Sequence, residues 1–291
     1  MPLTRRQLLR TTAGMALAAV EAGLAQEPPA GAQSADRDDP VDALTAYVKL
    51  GAALDDRLTI WWMDGLRYGV VDQRSELMYG MKVALFQRFF AQTDGTYKLA
   101  MFELTYYTDL NTGELLEEYE NPYTGIVNRV QHVRLGPAIR QATASGNARP
   151  ENDTNLSYFY SRLGPPLVHG DQMWISTDVQ AGIKFPSPKA PKIRLNHYLT
   201  LHGQKSAVED QAVLSAPASL GFHNILTWEP WMRMGDHRGE MMSRAAGRKL
   251  ERVDELPADY LAMAHRVHPT YIADPLATLD RRVSEIKEST G

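Results

Sequence analysis

The sequence predicts a mainly β protein, an antiparallel meander that closes or curls strongly into a barrel, with short flanking helices at both ends. The first observation is that apolar and polar residues alternate from Leu58 onward for about 190 residues, which is the period of β-strands. The second is that turn sequences, and no long helical patterns, separate the alternating segments. Strands with such short connections pair as antiparallel neighbours and do not form βαβ units.

Eight segments have the composition of strands, being rich in Tyr, Trp, Phe, Val and Ile. Turn signals such as Thr93-Asp94-Gly95 and Asn111-Thr112-Gly113 lie between them. A meander of this length must protect its edges, most simply by closing into a lipocalin-like barrel. The predicted strands are residues 58–71, 82–92, 97–107, 126–134, 155–163, 172–182, 192–202 and 224–231.

Barrels of this kind commonly enclose a cavity for one small ligand, and the predicted strands carry many large side chains. Facing inward, these side chains would line an apolar pocket; otherwise they fill a solid core. The sequence leaves both arrangements open, because a shift of one residue reverses every side chain of a strand. The large side chains are Trp61, Trp62, Phe86, Phe89, Phe90, Phe102, Tyr106, Tyr107, Phe159, Trp174, Trp228 and Trp231.

Helical patterns flank the barrel. Asp39-Pro40 resembles a helix start with proline in the first turn, and the apolar residues that follow share one face, which predicts a helix over residues 41–54. At the other end, residues 255–291 contain two helical patterns separated by Pro269, which we expect to cover the barrel from outside. Residues 41–291 are therefore predicted to form one domain.

The first residues have the pattern of an export signal. Thr4–Arg10 resembles the twin-arginine motif, Thr11–Val20 is apolar and uncharged, and Gly23-Leu24-Ala25 supplies small residues for a signal peptidase. The apolar run is shorter than the roughly 20 residues of a membrane helix, so residues 1–25 predict a cleaved signal peptide, with a membrane-anchored tail as the alternative. Residues 26–40 predict a disordered linker. We expect the twin-arginine export machinery to deliver the folded protein to the periplasm or the medium, without a stable membrane anchor.

Composition excludes several classes of function. The 291-residue chain has a formal net charge of −4, and removal of residues 1–25, which contain three arginines and one glutamate, makes it −6. A mildly acidic chain with no Lys/Arg block is a poor candidate for binding nucleic acid. The chain has no cysteine, which rules out disulfides, thiolate metal sites and a cysteine nucleophile.

The sequence also lacks the familiar motifs for cofactors and metals. It has no glycine-rich nucleotide loop, Gly-x-Ser-x-Gly elbow or His-Glu-x-x-His pattern. His197 and His202 are five residues apart on a predicted strand, so they point to opposite faces, and His268 directly precedes Pro269, where a helix ends. We therefore predict neither a cofactor nor a metal site.

One stretch is denser in chemically active side chains than the rest. The first eighteen residues of Gly221–Gly247 contain two histidines, two carboxylates, two tryptophans and two arginines. Within it, Trp228 and Trp231 flank Glu229, and Pro230 constrains the backbone that follows. Glu229 is therefore the strongest candidate for a general base.

Other charged residues interrupt apolar strands. Glu103 and Asp64 stand among apolar neighbours; facing inward they would have a raised pKa, and facing outward they would be solvated strand residues. Arg67 and Arg233 lie in apolar or aromatic sequence, where a guanidinium needs a partner. These arginines could bind a substrate carboxylate, or they could form structural ion pairs with Asp64, Glu103 or Glu229.

Two blocks, residues 109–134 and 228–256, contain distinctive short motifs. The motifs are Thr112-Gly113-Glu114, Asn121-Pro122-Tyr123-Thr124-Gly125, His132-Val133, Pro230-Trp231-Met232-Arg233-Met234-Gly235, Gly247-Arg248-Lys249 and Leu256-Pro257. They resemble those of the DUF1838 family, a group of bacterial and fungal proteins of unknown function. Where that family usually has an Asn-Asp-Pro-like turn after His-Val, this chain has Arg134-Leu135-Gly136-Pro137. The resemblance implies common ancestry and no particular activity.

Two functions are consistent with these features. The first is an exported, cofactor-independent enzyme that binds a hydrophobic or aromatic small molecule and acts as a lyase, dehydratase, isomerase or cyclase by general acid–base catalysis. The second is a lipocalin-like carrier that binds such a ligand without turnover. The enzyme is favoured because polar residues crowd one stretch more than a passive apolar pocket requires.

The enzyme hypothesis gives each candidate residue a role. The expected catalytic residues are Glu229 or His223 as proton acceptor, Asp236 or His132 as proton donor, and Arg233 as the partner of a developing anion. The expected ligand-binding residues are Trp228, Trp231, Tyr123, Asn121, Glu103, Arg67 and Tyr106. An enzyme needs at least two of the titratable groups to face one cavity, within reach of one ligand.

Overall fold

The computed structural model describes residues 42–149, 156–183 and 193–288, and for residues 285–288 it describes the backbone alone. The predicted signal peptide and linker therefore lie outside the described residues. No helix among the described residues is long and apolar enough to cross a membrane.

The strands are β1 (Thr59–Val71), β2 (Arg74–Ala91), β3 (Tyr97–Thr108), β4 (Glu118–Glu120), β5 (Val127–Arg129), β6 (Val133–Thr143), β7 (Gly146–Asn147), β8 (Leu156–Leu163), β9 (Leu167–His169), β10 (Gln172–Ile183), β11 (Ile193–Gln204), β12 (Ala218–Leu226) and β13 (Glu240–Leu250). The helices are α1 (Ala43–Gly51), α2 (Lys205–Glu209), α3 (Ala258–Val267), α4 (Pro269–Ile272) and α5 (Pro275–Glu288). Single 3₁₀ turns span Pro230–Met232 and Val253–Glu255.

Within the described ranges, eleven strands form one antiparallel sheet in the order β7-β6-β3-β2-β1-β13-β12-β11-β10-β8, with β9 paired to β10. Strand β1 pairs with both β2 and the last strand, β13. The two ends of the sheet meet along a seam, where Asn147 N–H donates to Ser161 Oγ at 2.9 Å and Leu163 N–H donates to Ser145 O at 3.0 Å. The prediction of an antiparallel barrel with short helices at both ends is confirmed.

The first hairpin is longer than predicted. Strand β2 begins at Arg74, whereas the sequence placed its start at Lys82. A two-residue turn, Asp72-Gln73, joins β1 to β2, and both of its residues have positive φ (48° and 63°). Such turns match the twist of a hairpin but are normally recognised by Asn-Gly or Asp-Gly, so the Asp-Gln pair concealed this one.

Strand β13 is absent from the sequence prediction, although it pairs along its length with β1 and β12. Small residues obscure its alternation. At Gly247 a Cβ atom would stand 2.1 Å from the carbonyl oxygen of Trp62, so the close approach of β1 requires glycine there. The predicted strand over residues 126–134 is divided between β5 and the start of β6, and the one over residues 224–231 ends at Leu226.

The large aromatic residues of β1–β3 divide between the two faces of the sheet. Trp61 and Tyr107 belong to the core inside the barrel. The outer face carries a second core, in which these strands pack against α3, α4 and α5. The large side chains therefore do not share one pocket, and the outward-facing ones include Trp62, Phe86, Phe102 and Tyr106.

Helix α1 closes one end of the barrel. The Asp42 carboxylate caps its first turn by accepting from Thr45 N–H at 2.9 Å. At its last turn, Gly51 O accepts from Trp61 Nε1 at 2.7 Å and from Gln87 Nε2 at 2.6 Å. These bonds to β1 and β2 end the helix at Gly51, three residues before the predicted boundary.

Candidate functional site

A polar cluster lies inside the barrel, away from α1. Trp61 marks the α1 end of β1, and Arg67 lies six residues further along, about 20 Å away at roughly 3.3 Å per residue. The connection between β3 and β6, residues 109–132, and the connection between β12 and β13, residues 227–239, contribute side chains to the inner core at this end. These side chains include Tyr119, Tyr123, Trp228 and Trp231.

The centre of the cluster is an ion pair between Arg67 and Glu229, which are 5% and 9% exposed. Arg67 Nη2 lies 3.2 Å from Glu229 Oε1 and 3.1 Å from the Tyr107 hydroxyl. The Tyr107 hydroxyl donates a short hydrogen bond to the same Oε1, and Trp231 Nε1 donates to Oε2 at 2.5 Å. Three donors therefore hold the carboxylate in one position, shielded from water.

The local sequence sets the position of Glu229. Pro230 begins the 3₁₀ turn that follows Glu229, and Arg233 ends it in the left-handed conformation with φ 52°. Asn121, from the other connection, donates through Nδ2 to Met232 O at 2.8 Å. The two connections are thus fastened to each other at this end of the barrel.

Arg67 also belongs to an in-register row of polar side chains that crosses five adjacent strands. It pairs with Tyr79 of β2 on one side and with Ser243 of β13 on the other. Ser243 pairs in turn with Asn224 of β12, which pairs with His197 of β11. Directly opposed residues have Cβ atoms about 4.5–5.5 Å apart, so neighbours in this polar row can act on one ligand.

Four buried polar atoms of the row have no hydrogen-bond partner in the part of the chain that the structure describes. They are Arg67 Nε and Nη1, the Tyr79 hydroxyl and Ser243 Oγ. An unsatisfied buried donor costs about 1–3 kcal/mol, and native proteins normally satisfy such atoms with ordered water or a ligand. Three adjacent side chains thus keep hydrogen-bonding groups that an ordered water or a ligand can satisfy.

The surroundings determine the charges in the cluster. Burial opposes the charge of Arg67, but Tyr107 and Glu229 outweigh it and keep the pKa of Arg67 above its ordinary value. Burial raises the pKa of Tyr79 and of Tyr107 well above the usual range, so both remain neutral phenols. Burial, and then the charge of Arg67, lowers the pKa of His197 to about 4, so its imidazole is neutral at pH 7.

Glu103 and His132 lie at the edge of the cluster. Glu103 shares the inward face of β3 with Tyr107, and its Oε1 accepts from Thr105 Oγ1 at 2.8 Å. Burial raises the pKa of Glu103 against the opposing effects of Thr105 and Arg67. His132 Nδ1 accepts from the Tyr107 backbone N–H at 3.2 Å, and burial, followed by His268, lowers the pKa of His132 to about 4.

Acidification is expected to weaken the fold through His132. Its pKa is about 6.5 in the unfolded chain and about 4 in the folded one, so the unfolded chain binds the proton first. The contribution of His132 to the free energy of unfolding is fully present above pH 6.5 and is lost as the pH falls toward 4. Because the ring is partly exposed, we expect a loss of about 1 kcal/mol between pH 7 and pH 5.

Urea denaturation of the wild type and of His132→Asn at the two pH values measures this loss. The asparagine Oδ1 can accept the same hydrogen bond without titrating, so the variant should lose less stability than the wild type. Equal losses in the two proteins would contradict the role of His132.

The structure brings several of the predicted site residues together. Glu229, Arg67 and Trp231 form the cluster itself. Trp228 lies beside it in the inner core, and Tyr123 packs on Trp228 with ring centroids 5.2 Å apart. Asn121 is fully buried but bonds the two connections to each other, and Glu103 faces the interior from β3.

Other predicted residues lie elsewhere. His223 is exposed because it stands between the inward-facing Phe222 and Asn224 of β12. Arg233 and Asp236 are exposed in the connection that follows Glu229, so the structure does not place them with the cluster. Tyr106 is on the outer face, and its hydroxyl lies 2.9 Å from His268 Nδ1.

Sequence reasoning missed Tyr79, Ser243 and Asn224 as site residues, and it considered His197 for metal binding alone. Tyr79 and Ser243 lie in strand portions that the sequence did not predict, so their pairing with Arg67 was hidden. Counting outward from a two-residue turn at Asp72-Gln73 would have paired Arg67 with Met78, because the sequence does not show the register shift that places Tyr79 opposite Arg67. Among the described residues, no group of three or more His, Asp or Glu side chains is arranged to hold a metal ion.

The fold and the cluster define a class of protein, an antiparallel barrel with a buried polar site inside one end. Residues 55–287 match the family described as protein of unknown function (DUF1838). This match spans most of the chain, which therefore belongs to the DUF1838 family. No curated protein and no solved structure matches the chain.

Proposed function

We propose that this protein is an exported enzyme of the lyase or isomerase type, which binds a hydrophobic small molecule inside the barrel and transfers a proton by general acid–base catalysis without a redox cofactor. The observation that carries the proposal is the convergence of Glu229, Tyr107 and Arg67 inside the barrel. Two titratable groups within hydrogen-bonding distance, held beside a cation, supply the proton acceptor and the proton donor that acid–base chemistry uses. The export part of the proposal rests on residues 1–25, outside the described residues.

Glu229 is suited to accept a proton. A carboxylate offers about four lone-pair positions, and three donors occupy Glu229. One position is left for the proton of a substrate. Its fixed position also avoids the reorganisation that a mobile surface carboxylate would undergo at the moment of transfer.

The reaction that these groups support begins at a carbon next to a carbonyl. Glu229 takes the proton from that carbon, and the C–H electron pair forms the carbon–carbon double bond of an enolate. Arg67, whose Nε and Nη1 have no partner among the described residues, stabilises the negative oxygen. In a carbonyl compound with a β,γ double bond, the enolate extends over that bond, and return of the same proton to the γ-carbon completes an isomerisation. In a β-hydroxy carbonyl compound, the enolate electrons form the α,β double bond while the hydroxyl takes the proton from Glu229 and leaves as water, which completes a dehydration.

The apolar residues at this end of the barrel support a hydrophobic ligand. Met81 and Met241 are buried in the inner core around the cluster, and Trp228 and Tyr123 pack against that core. Methionine and aromatic side chains adapt to apolar ligands of irregular shape. The same feature favours the second candidate function, a carrier that binds its ligand without turnover.

Replacement of Glu229 by glutamine separates enzyme from carrier. Protein purified from its own compartment would be analysed by native mass spectrometry, and the ligand released from it would be incubated with fresh protein. The enzyme proposal expects conversion of the ligand, reduced at least about a hundredfold in Glu229→Gln because the general base is lost.

The matched control is the variant Glu240→Gln, which removes an exposed carboxylate at the start of β13. This variant should convert the ligand at the wild-type rate. The melting temperatures of both variants show whether they fold. A ligand that returns unchanged from the wild type would favour the carrier, and conversion that survives in a folded Glu229→Gln would overturn the assigned base.

A further inference from the structure

We infer that the polar row binds an uncharged carbonyl oxygen of the ligand and discriminates against carboxylates. The inference deepens the proposed function, on which it rests for the location of the ligand. It runs against one of the two roles that the sequence left open for Arg67, the binding of a substrate carboxylate.

The row offers hydrogen-bond donors to a ligand oxygen. Arg67 is 5% exposed, Tyr79 is 1% exposed and Ser243 is fully buried. None of the four atoms Arg67 Nε, Arg67 Nη1, Tyr79 Oη and Ser243 Oγ has a partner from residues 42–149, 156–183 or 193–288. Because Tyr79 and Ser243 flank Arg67 in register, an oxygen placed beside Arg67 can accept from the guanidinium and from a flanking hydroxyl together.

The charges in the cluster decide which kind of oxygen fits. The positive charge of Arg67 is already paired with the Glu229 carboxylate at 3.2 Å. Tyr79 and Tyr107 are neutral phenols, and the imidazole of His197 is neutral. The site therefore has no net positive charge among its described residues.

A ligand carboxylate would add a negative charge to this site. It would lie close to Glu229 in surroundings that exclude water, where two like charges repel strongly. Glu103, a second carboxyl group on the inner face of β3, would add to the repulsion in its ionised form. A carbonyl oxygen accepts the same hydrogen bonds without bringing a charge, so the row is complementary to a ketone, an aldehyde or an amide.

Two matched pairs of probes test the inference: acetophenone against benzoate, and 2-acetonaphthone against 2-naphthoate. In each pair the ring is the same, and a methyl ketone replaces a carboxylate. Titration calorimetry with the mature, full-length protein should show the ketone binding at least about tenfold more tightly in at least one pair. The inference would be overturned if, in both pairs, the carboxylate bound as tightly as the ketone or more tightly. It would also be overturned if none of the four probes bound.

Two hydroxyl deletions locate the binding. Tyr79→Phe and Ser243→Ala each remove an unsatisfied buried hydroxyl, so both variants should melt at or slightly above the wild-type temperature while ketone affinity falls at least about fivefold. A residue with a purely structural role would not lose affinity while keeping its stability. The control is Tyr198→Phe on the exposed face of β11, next to His197, which should leave affinity unchanged. Unchanged ketone affinity in both deletions would reject the row as the binding site.

A change of charge gives the sharpest contrast. Glu229→Gln leaves the charge of Arg67 unpaired, so in a folded variant the preference should reverse and the carboxylate should bind more tightly than the ketone. A preference that does not change would count against the charge argument. The two proposals fail separately. If the wild type prefers the ketone but Glu229→Gln still converts the ligand, the acid–base role alone is rejected. If the wild type prefers the carboxylate but conversion depends on Glu229, the ligand class alone is rejected.

Discussion

Replacement of Arg67 by methionine is expected to lower the free energy of unfolding by about 3–5 kcal/mol, because it leaves the Glu229 carboxylate buried without its cation. Both side chains are at least nine-tenths buried, so water cannot replace the lost partner. Tyr107 and Trp231 would still donate to the carboxylate, but neither carries a charge. Equilibrium unfolding in urea measures the loss.

The double variant Arg67→Met/Glu229→Gln is the control for this prediction. It removes the cation and the anion together, so it should recover much of the stability that Arg67→Met loses. A double variant no more stable than Arg67→Met would show that Arg67 stabilises the barrel by packing and not by charge pairing. The result bears on function too. If removal of both partners costs little free energy of unfolding, the ion pair is present for a reason other than stability.

The residues of this ion pair could be named from the sequence, but their pairing was one of several alternatives that the sequence left open. Arg67 and Glu229 are 162 positions apart and meet because the last strand pairs with the first. Strand β13 was missing from the prediction, so the sequence offered no path by which the two residues could meet. A β-bulge between Arg67 and Tyr68 also shifts the register with β2, and no local pattern in the sequence reveals such a shift.

The alternation of apolar and polar residues predicted the architecture well, because a half-buried strand has an apolar side chain at every second residue whichever strands it pairs with. Glu229 was also found from sequence, because two tryptophans beside a carboxylate are locally conspicuous. The direction of a side chain is another matter. His223 and Asn224 are neighbours in sequence, yet one is exposed and the other is buried in the polar row. Register decides between them, and register depends on turns and pairings that are distant in the chain.

Replacement of Tyr260 by alanine is expected to lower the free energy of unfolding by about 3–5 kcal/mol, through a cavity under the C-terminal helices. Tyr260 of α3 is fully buried on the outer face of the barrel. Its ring centroid lies 5.0 Å from that of Trp62 and 5.2 Å from that of Tyr106, and its hydroxyl donates to Leu104 O at 3.0 Å. Without the ring, α3 would lose these contacts with β1 and β3.

Tyr260→Phe is the matched control, since it keeps the ring and removes the hydroxyl alone, at a cost of about 0.5–1.5 kcal/mol. Thermal and urea unfolding of the two variants separate the contribution of packing from that of the hydrogen bond. A loss in Tyr260→Ala no larger than that in Tyr260→Phe would mean that the helices contribute little to stability. The expected larger loss would make α3–α5 part of the barrel's own core, because strands β1–β3 are apolar on both faces and need that cover to remain folded.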